Sequence, residues 1–143
     1  MKNRLILGIL AIALCTAMVV STGAQTMWTN TKAVVLAHGY SDGGAACLLT
    51  IQAKTGATVT NVDIRLDQIG GTIPVNIASW DDLYSGNLFV FSDFVSDVEP
   101  YNYYRLSFTA EVWLNGTVEY LNLYKDVYYT EDTRSSSSWI QTN

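Results

Sequence analysis

Past its first two dozen residues the chain predicts an all-β fold, a single antiparallel sandwich of about seven strands. Three observations carry this. Apolar residues recur at every second position, the period of a strand with one wet and one dry face. Turn pairs rich in glycine punctuate the sequence at short intervals. No stretch after residue 26 keeps a three-or-four-residue apolar period long enough for a crossover helix.

The strands follow in order. "AVVLAHG" gives a first strand over 32–38, ended by Ser41-Asp42-Gly43-Gly44. "AACLLTIQA" gives a second over 45–53, ended by Thr55-Gly56. In "TNVDIRLDQ", Val62, Ile64 and Leu66 point one way and Asp63, Arg65 and Asp67 the other, up to Gly70-Gly71. Strands are expected at 72–79 and 87–95 on either side of Ser85-Gly86. "YYRLSFTAEVWL" has the clearest pattern: Tyr104, Leu106, Phe108, Ala110, Val112 and Leu114 share a face opposite Arg105, Ser107, Thr109 and Glu111. Asn115-Gly116 follows, and then a strand over 117–128. An Asn-Gly pair between alternating strands marks a type I′ hairpin, because both central residues need positive φ.

The ends set the compartment. In "MKNRLILGILAIALCTAMVVSTGAQT", Lys2 and Arg4 precede an apolar run from Leu5 to Val20, followed by the small residues Ser21 to Ala24. This is the layout of a secretory signal peptide, expected over 1–24. A retained anchor and acylation at Cys15 compete with cleavage, but the apolar run is shorter than the roughly 20 residues that span a bilayer. A large Leu14 before Cys15 speaks against a lipoprotein. The expected organisation is a leader at 1–24, a sandwich at 25–130 and a flexible polar tail at 131–143, with Trp139 and Ile140 dangling or docking on the body. The protein is expected to be extracellular or at the cell surface, with no membrane attachment once the leader is removed.

Charge and cysteine narrow the classes. Net charge is −5, and loss of Lys2 and Arg4 with the leader takes it to about −7. An acidic surface without a Lys/Arg cluster repels phosphate backbones, so nucleic acid is not an expected partner. Cys47 is the one cysteine outside the leader, set among apolar neighbours, and reads as a small buried hydrophobe or as a thiol pairing between chains.

Gly39-Tyr40-Ser41-Asp42-Gly43 fits the G-x-S-x-G pattern of a serine hydrolase. That elbow needs a strand-to-helix turn and a histidine later in the chain. The single histidine, His38, precedes Ser41, and another strand follows Gly44. The stretch is read as a hairpin turn, and no catalytic residue is assigned. No cofactor is expected. A zinc site lacks nitrogen and sulfur ligands. Calcium is better served by Asp81, Asp82, Asp93, Asp97 and Glu99, without a D-x-D-x-D-G loop. Asn115-Gly116-Thr117 matches a glycosylation acceptor but is read as the turn.

Aromatic residues are in surplus: 4 Trp, 9 Tyr and 4 Phe. The register sends Tyr103 and Trp113 to the polar face of 103–114, and Trp80 ends "VNIASW" beside Asp81-Asp82. Trp80, Trp113 and Tyr103 are the candidate ligand-binding residues. Exposed rings stack on sugars or fill protein contacts, whereas strands also use Trp and Tyr for packing alone. The expected function is a non-catalytic module binding a glycan or a surface protein. The alternative is an assembly subunit joined through edge strands or Cys47; a small enzyme with paired carboxylates, the third class, is disfavoured by the absence of long loops that would form a cleft.

Two stretches, "GGAACLLTIQAKTGATVTNVDIRL" and "YYRLSFTAEVWLNGTVEYLNL", resemble the B–C and F–G strand pairs of an immunoglobulin-type sandwich. Cys47 takes the first core cysteine position of that pattern and Leu106 the second. Tyr104, two residues before Leu106, takes the place of a tyrosine whose hydroxyl returns to the backbone. No Trp falls on the C-like strand, and the second cysteine is missing. The pattern, over 32–128, is similar to small exported sandwich proteins of Gram-positive gut bacteria. The resemblance implies a bacterial, extracellular immunoglobulin-like fold and carries over no functional residues.

Overall fold

The computed structural model describes residues 28–131 and the backbone of 138–142. The leader expected over 1–24 lies outside the described residues. The strands are β1 (Thr31–Ser41), β2 (Gly44–Ala53), β3 (Thr58–Ile69), β4 (Val75–Ser85), β5 (Leu88–Val95), β6 (Asn102–Leu114), β7 (Thr117–Tyr129) and β8 (Ser138–Thr142). They form two four-stranded antiparallel sheets, ordered β5-β2-β1-β8 and β4-β3-β6-β7. The chain crosses between the sheets after β2, β4, β5 and β7.

Two hairpins follow from their turn residues. Asp42 (φ 49°) and Gly43 (φ 73°) join Ser41 to Gly44, and Asn115 (φ 52°) and Gly116 (φ 77°) join Leu114 to Thr117. These are the positive-φ pairs that a two-residue connection between twisted strands requires. The G-x-S-x-G stretch is thus the β1–β2 turn. His38 points into the core, where its Nδ1 shares a 2.7 Å hydrogen bond with the Tyr40 hydroxyl.

The structure moves one strand. The one expected over 72–79 begins only at Val75 and runs on through Trp80 to Ser85. Pro74 lacks the N–H that a ladder needs. The continuation through Asp81-Asp82 comes with two of the three register shifts of β4 against β3 and a left-handed Asp82 (φ 55°). Bulges of this kind let a strand pass polar residues along an edge. The segment read as a flexible polar tail over 131–143 also differs: Ser138–Thr142 pairs along β1, with Trp139 opposite Ala37.

The core lies between the inner faces. Val34, Leu36, Tyr40, Cys47, Leu49 and Ile51 of one sheet face Val59, Val62, Ile64, Leu66, Leu106, Phe108 and Val112 of the other. Both positions singled out by the immunoglobulin pattern, Cys47 and Leu106, are buried. Burial pushes the Cys47 thiol up to about 12, with the Asp93 charge adding to it. A thiol so placed behaves as a core side chain.

Tyr40 ties the sheets together, stacking on Tyr104 (centroids 5.0 Å apart) and on Tyr129 (5.2 Å) from the facing sheet. The Tyr104 hydroxyl donates to the Glu99 carbonyl (2.8 Å) and accepts from the Glu99 N–H (2.9 Å), pinning the loop that enters β6. The Tyr129 hydroxyl accepts from the Gly43 N–H (3.0 Å), pinning the β1–β2 turn. The start of the described chain is fixed by Glu119 on β7. Its carboxylate accepts from the N–H groups of Thr29 and Asn30 and from the hydroxyls of Thr29 and Thr31. Burial works to raise the Glu119 carboxyl, but these donors outweigh it and hold the group below the usual carboxylate range.

Two stability outcomes follow. Tyr104→Phe removes both part-buried hydrogen bonds to the Glu99 backbone, lowering stability by about 1–2 kcal/mol, read from the urea midpoint. The second concerns His38, which is fully buried; its Nε2 lacks a well-formed hydrogen bond. Burial pushes the imidazole down to about 4, and the opposing pull of the Lys125 backbone and the Asp126 charge does not offset it. Between the unfolded value near 6.5 and 4, the unfolded chain takes up a proton that the folded chain refuses. His38 therefore leaves stability intact above pH 6.5. It lowers stability by about 1.4 kcal/mol per pH unit on the way down, and adds no further loss below 4. Urea titrations between pH 7 and 4 give a shallower pH slope for His38→Phe than for the wild type.

Candidate functional site

The β4-β3-β6-β7 sheet turns one face to solvent, and the candidate site is built there. On β6 the outward residues are Tyr103, Arg105, Ser107, Thr109, Glu111 and Trp113. The Asn115-Gly116 turn fixes the register of β7 with no shift, setting Tyr128 beside Tyr103, Asp126 beside Arg105, Tyr124 beside Ser107, Asn122 beside Thr109, and Tyr120 beside Glu111. On the other flank β3 sets Asp67 beside Arg105, Arg65 beside Ser107 and Asp63 beside Thr109.

Tyr120, Tyr124 and Tyr128 thus stand four residues apart along β7, a row roughly 27 Å long at the rise of a strand. All three are exposed, Tyr120 by 72%. Tyr103 and Tyr128 lie with centroids 4.7 Å apart, tilted by 46°. Between the rings of β7 stand Asn122 and Asp126, so every aromatic has a polar neighbour on its own strand. Ser107 and Thr109 are the small residues in the middle, flanked by larger side chains on β3 and β7.

Arg105 organises the centre. Its Nε and Nη2 donate to the two oxygens of Asp126 at 2.7 and 2.8 Å, a bidentate pair. Its Cζ sits 4.1 Å from the Tyr124 ring centroid. The Arg105 bond holds the Asp126 carboxyl below the usual carboxylate range. A pair this exposed contributes little to stability; it fixes the planes of the guanidinium and the tyrosine. Next to it Arg65 Nη2 donates to Asp67 Oδ1 (3.3 Å), which also accepts from Asn76 Nδ2 (2.8 Å). With Asp63 and Glu111 included, acids outnumber bases on the face by four to two.

The three sequence candidates do not form one site. Tyr103 and Trp113 both face outward but lie at opposite ends of β6, roughly 33 Å apart along the strand. The Trp113 indole N–H donates to Glu111 Oε2 (3.0 Å). Trp80 is displaced from the surface role: it pairs with the inward-facing Ile64, packs edge-on against Phe91 (5.0 Å) and donates to Asp93 Oδ2 (2.7 Å). It closes the open side of the core between β4 and β5. Tyr120, Tyr124, Tyr128 and Arg105 escaped the reading. Carrying the two-residue turn one strand further, so that 103 faces 128 and 111 faces 120, is the signal that finds them.

The acids weighed for calcium are used elsewhere or stand apart. Asp93 accepts from Trp80, and Glu99 gives its backbone to Tyr104. Among the described residues no three His, Cys, Asp or Glu side chains converge on a point where a metal fits.

No protein-family model, curated protein or solved structure matches the chain.

The two tryptophans separate by measurement. Trp80→Ala opens the core edge and lowers stability by about 2 kcal/mol, whereas Trp113→Ala changes it by no more than about 0.5 kcal/mol, both from urea unfolding.

Proposed function

We propose that the protein is an exported, non-catalytic binding module with an immunoglobulin-like sandwich, and that the outer face of the β4-β3-β6-β7 sheet binds a neutral polysaccharide. The leader-like start supports export. The immunoglobulin-like assignment rests on the sheet orders and on the Tyr104 hydroxyl returning to Glu99.

One observation carries the ligand class: rings and hydrogen-bonding groups alternate along the face, Tyr128-Asp126-Tyr124-Asn122-Tyr120 on β7 and Tyr103-Arg105 with Glu111-Trp113 on β6. A pyranose presents C–H faces that stack on rings and equatorial hydroxyls that need acceptors and donors close by. The core of a protein–protein interface is depleted of charge, and this face carries charge throughout. Its acid excess disfavours an anionic glycan.

Native gel electrophoresis through soluble neutral polysaccharides (β-glucan, xylan, galactomannan and starch) tests the reading. Retardation by at least one of them, cut about tenfold in affinity by Tyr124→Ala, is the expected outcome. Free migration through all four rejects it.

The second reading, assembly, is favoured by β5, an edge strand whose Leu88 and Val90 are exposed with no lysine or proline to guard the edge. It predicts a dimer in sedimentation that Val90→Lys converts to monomer.

A further inference from the structure

Among the described residues, six other than glycine have φ in the left-handed region. Five are Asp or Asn: Asp42, Asn61, Asp82, Asp97 and Asn115. These short polar side chains tolerate the conformation. The sixth is Tyr101, with φ +63°. A bulky aromatic there is a true outlier, and such strain persists only where the surroundings over-determine it.

The surroundings do so. The Tyr101 N–H donates to the Tyr129 carbonyl (2.6 Å). On one side Glu99 is gripped through both backbone groups by the Tyr104 hydroxyl. On the other, the Asn102 amide donates to the Pro100 carbonyl (3.1 Å) and accepts from Gln68 Nε2 (2.9 Å). This frame holds the backbone still while leaving the Tyr101 residue 58% exposed. Immediately beyond it, at the same end of the sheet, stand the exposed Tyr103 and the Tyr128 ring tilted against it.

We infer that Tyr101 is a preset ligand contact and that Tyr101, Tyr103 and Tyr128 form the anchoring subsite of the face, taking one neutral sugar unit. The inference rests on the polysaccharide reading above and adds where along the row the affinity lies. The Trp113 end, where the indole N–H is occupied by Glu111, contributes less. The cost of the strained backbone is then the cost of presetting the main chain that carries the ring, which spares part of the ordering that binding otherwise demands.

Tyr101→Asn is the decisive variant, because asparagine accepts the left-handed backbone and removes the ring. Its melting temperature is expected to equal or exceed that of the wild type. Its affinity for the polysaccharide that retards the wild type is expected to fall at least tenfold. Tyr103→Ala and Tyr128→Ala are expected to fall as far, and Trp113→Ala less than threefold. A Tyr101→Asn protein that binds like the wild type overturns the inference alone, leaving the polysaccharide reading intact if Tyr124→Ala still weakens binding. A melting temperature clearly below the wild type assigns Tyr101 to stability and overturns it as well. No retardation of the wild type by any of the four polysaccharides removes the underlying reading and this inference with it.

Discussion

Two sheets without a disulfide between them must be held by what they bury, and the point where that burial acquires direction is the Tyr40 stack. Tyr40 reaches from β1 between Tyr104 and Tyr129 of the opposing sheet. Aliphatic contacts in the rest of the core are non-directional and would tolerate a slide of one sheet over the other. Offset rings prefer particular geometries, and the hydroxyls of Tyr104 and Tyr129 each end on a backbone group of a loop. The stack therefore sets the alignment of the sheets and the positions of the β1–β2 turn and the 96–101 loop together. The same hydroxyl that secures the core secures the approach to the tyrosine face.

How much of this was legible depends on whether local chemistry decides the outcome. Strands such as β3 and β6 were readable because alternation is a property of consecutive residues: Val62, Ile64 and Leu66 can share a dry face in only one way. The turns at Asp42-Gly43 and Asn115-Gly116 were readable because positive φ selects residue type. β4 was misplaced because its pairing is broken by bulges, and a bulge reverses the parity on which the reading depends. Trp80 was assigned to the surface for that reason: its partner Ile64, not its own neighbours, decides which way it faces.

The candidate site was half visible. Tyr103 and Trp113 were found from the parity of one strand, whereas the row on β7 exists only in the pairing of two. The strain at Tyr101 had no local signal at all. Nothing in "EPYNYY" marks the left-handed residue by type; the Tyr104 hydroxyl grips Glu99 from within the stretch, and the Tyr101 N–H donates to the Tyr129 carbonyl at the end of β7, which only the pairing of β6 with β7 brings alongside. The features of the candidate site that escaped the sequence are those set by strand pairing rather than by local propensity, which is where a sequence reading is expected to fail.

The carboxylate of Glu119 has a further consequence for how the chain comes to rest. It grips Thr29, Asn30 and Thr31 from about ninety positions downstream. β1, the strand they lead into, faces a sheet completed by β6 and β7. An emerging N-terminal half has no way to close its interior, since loop closure over that span must precede the contacts that reward it. The two sheets can therefore close over their interior, and the start of β1 be fixed, only once the chain through β7 is present.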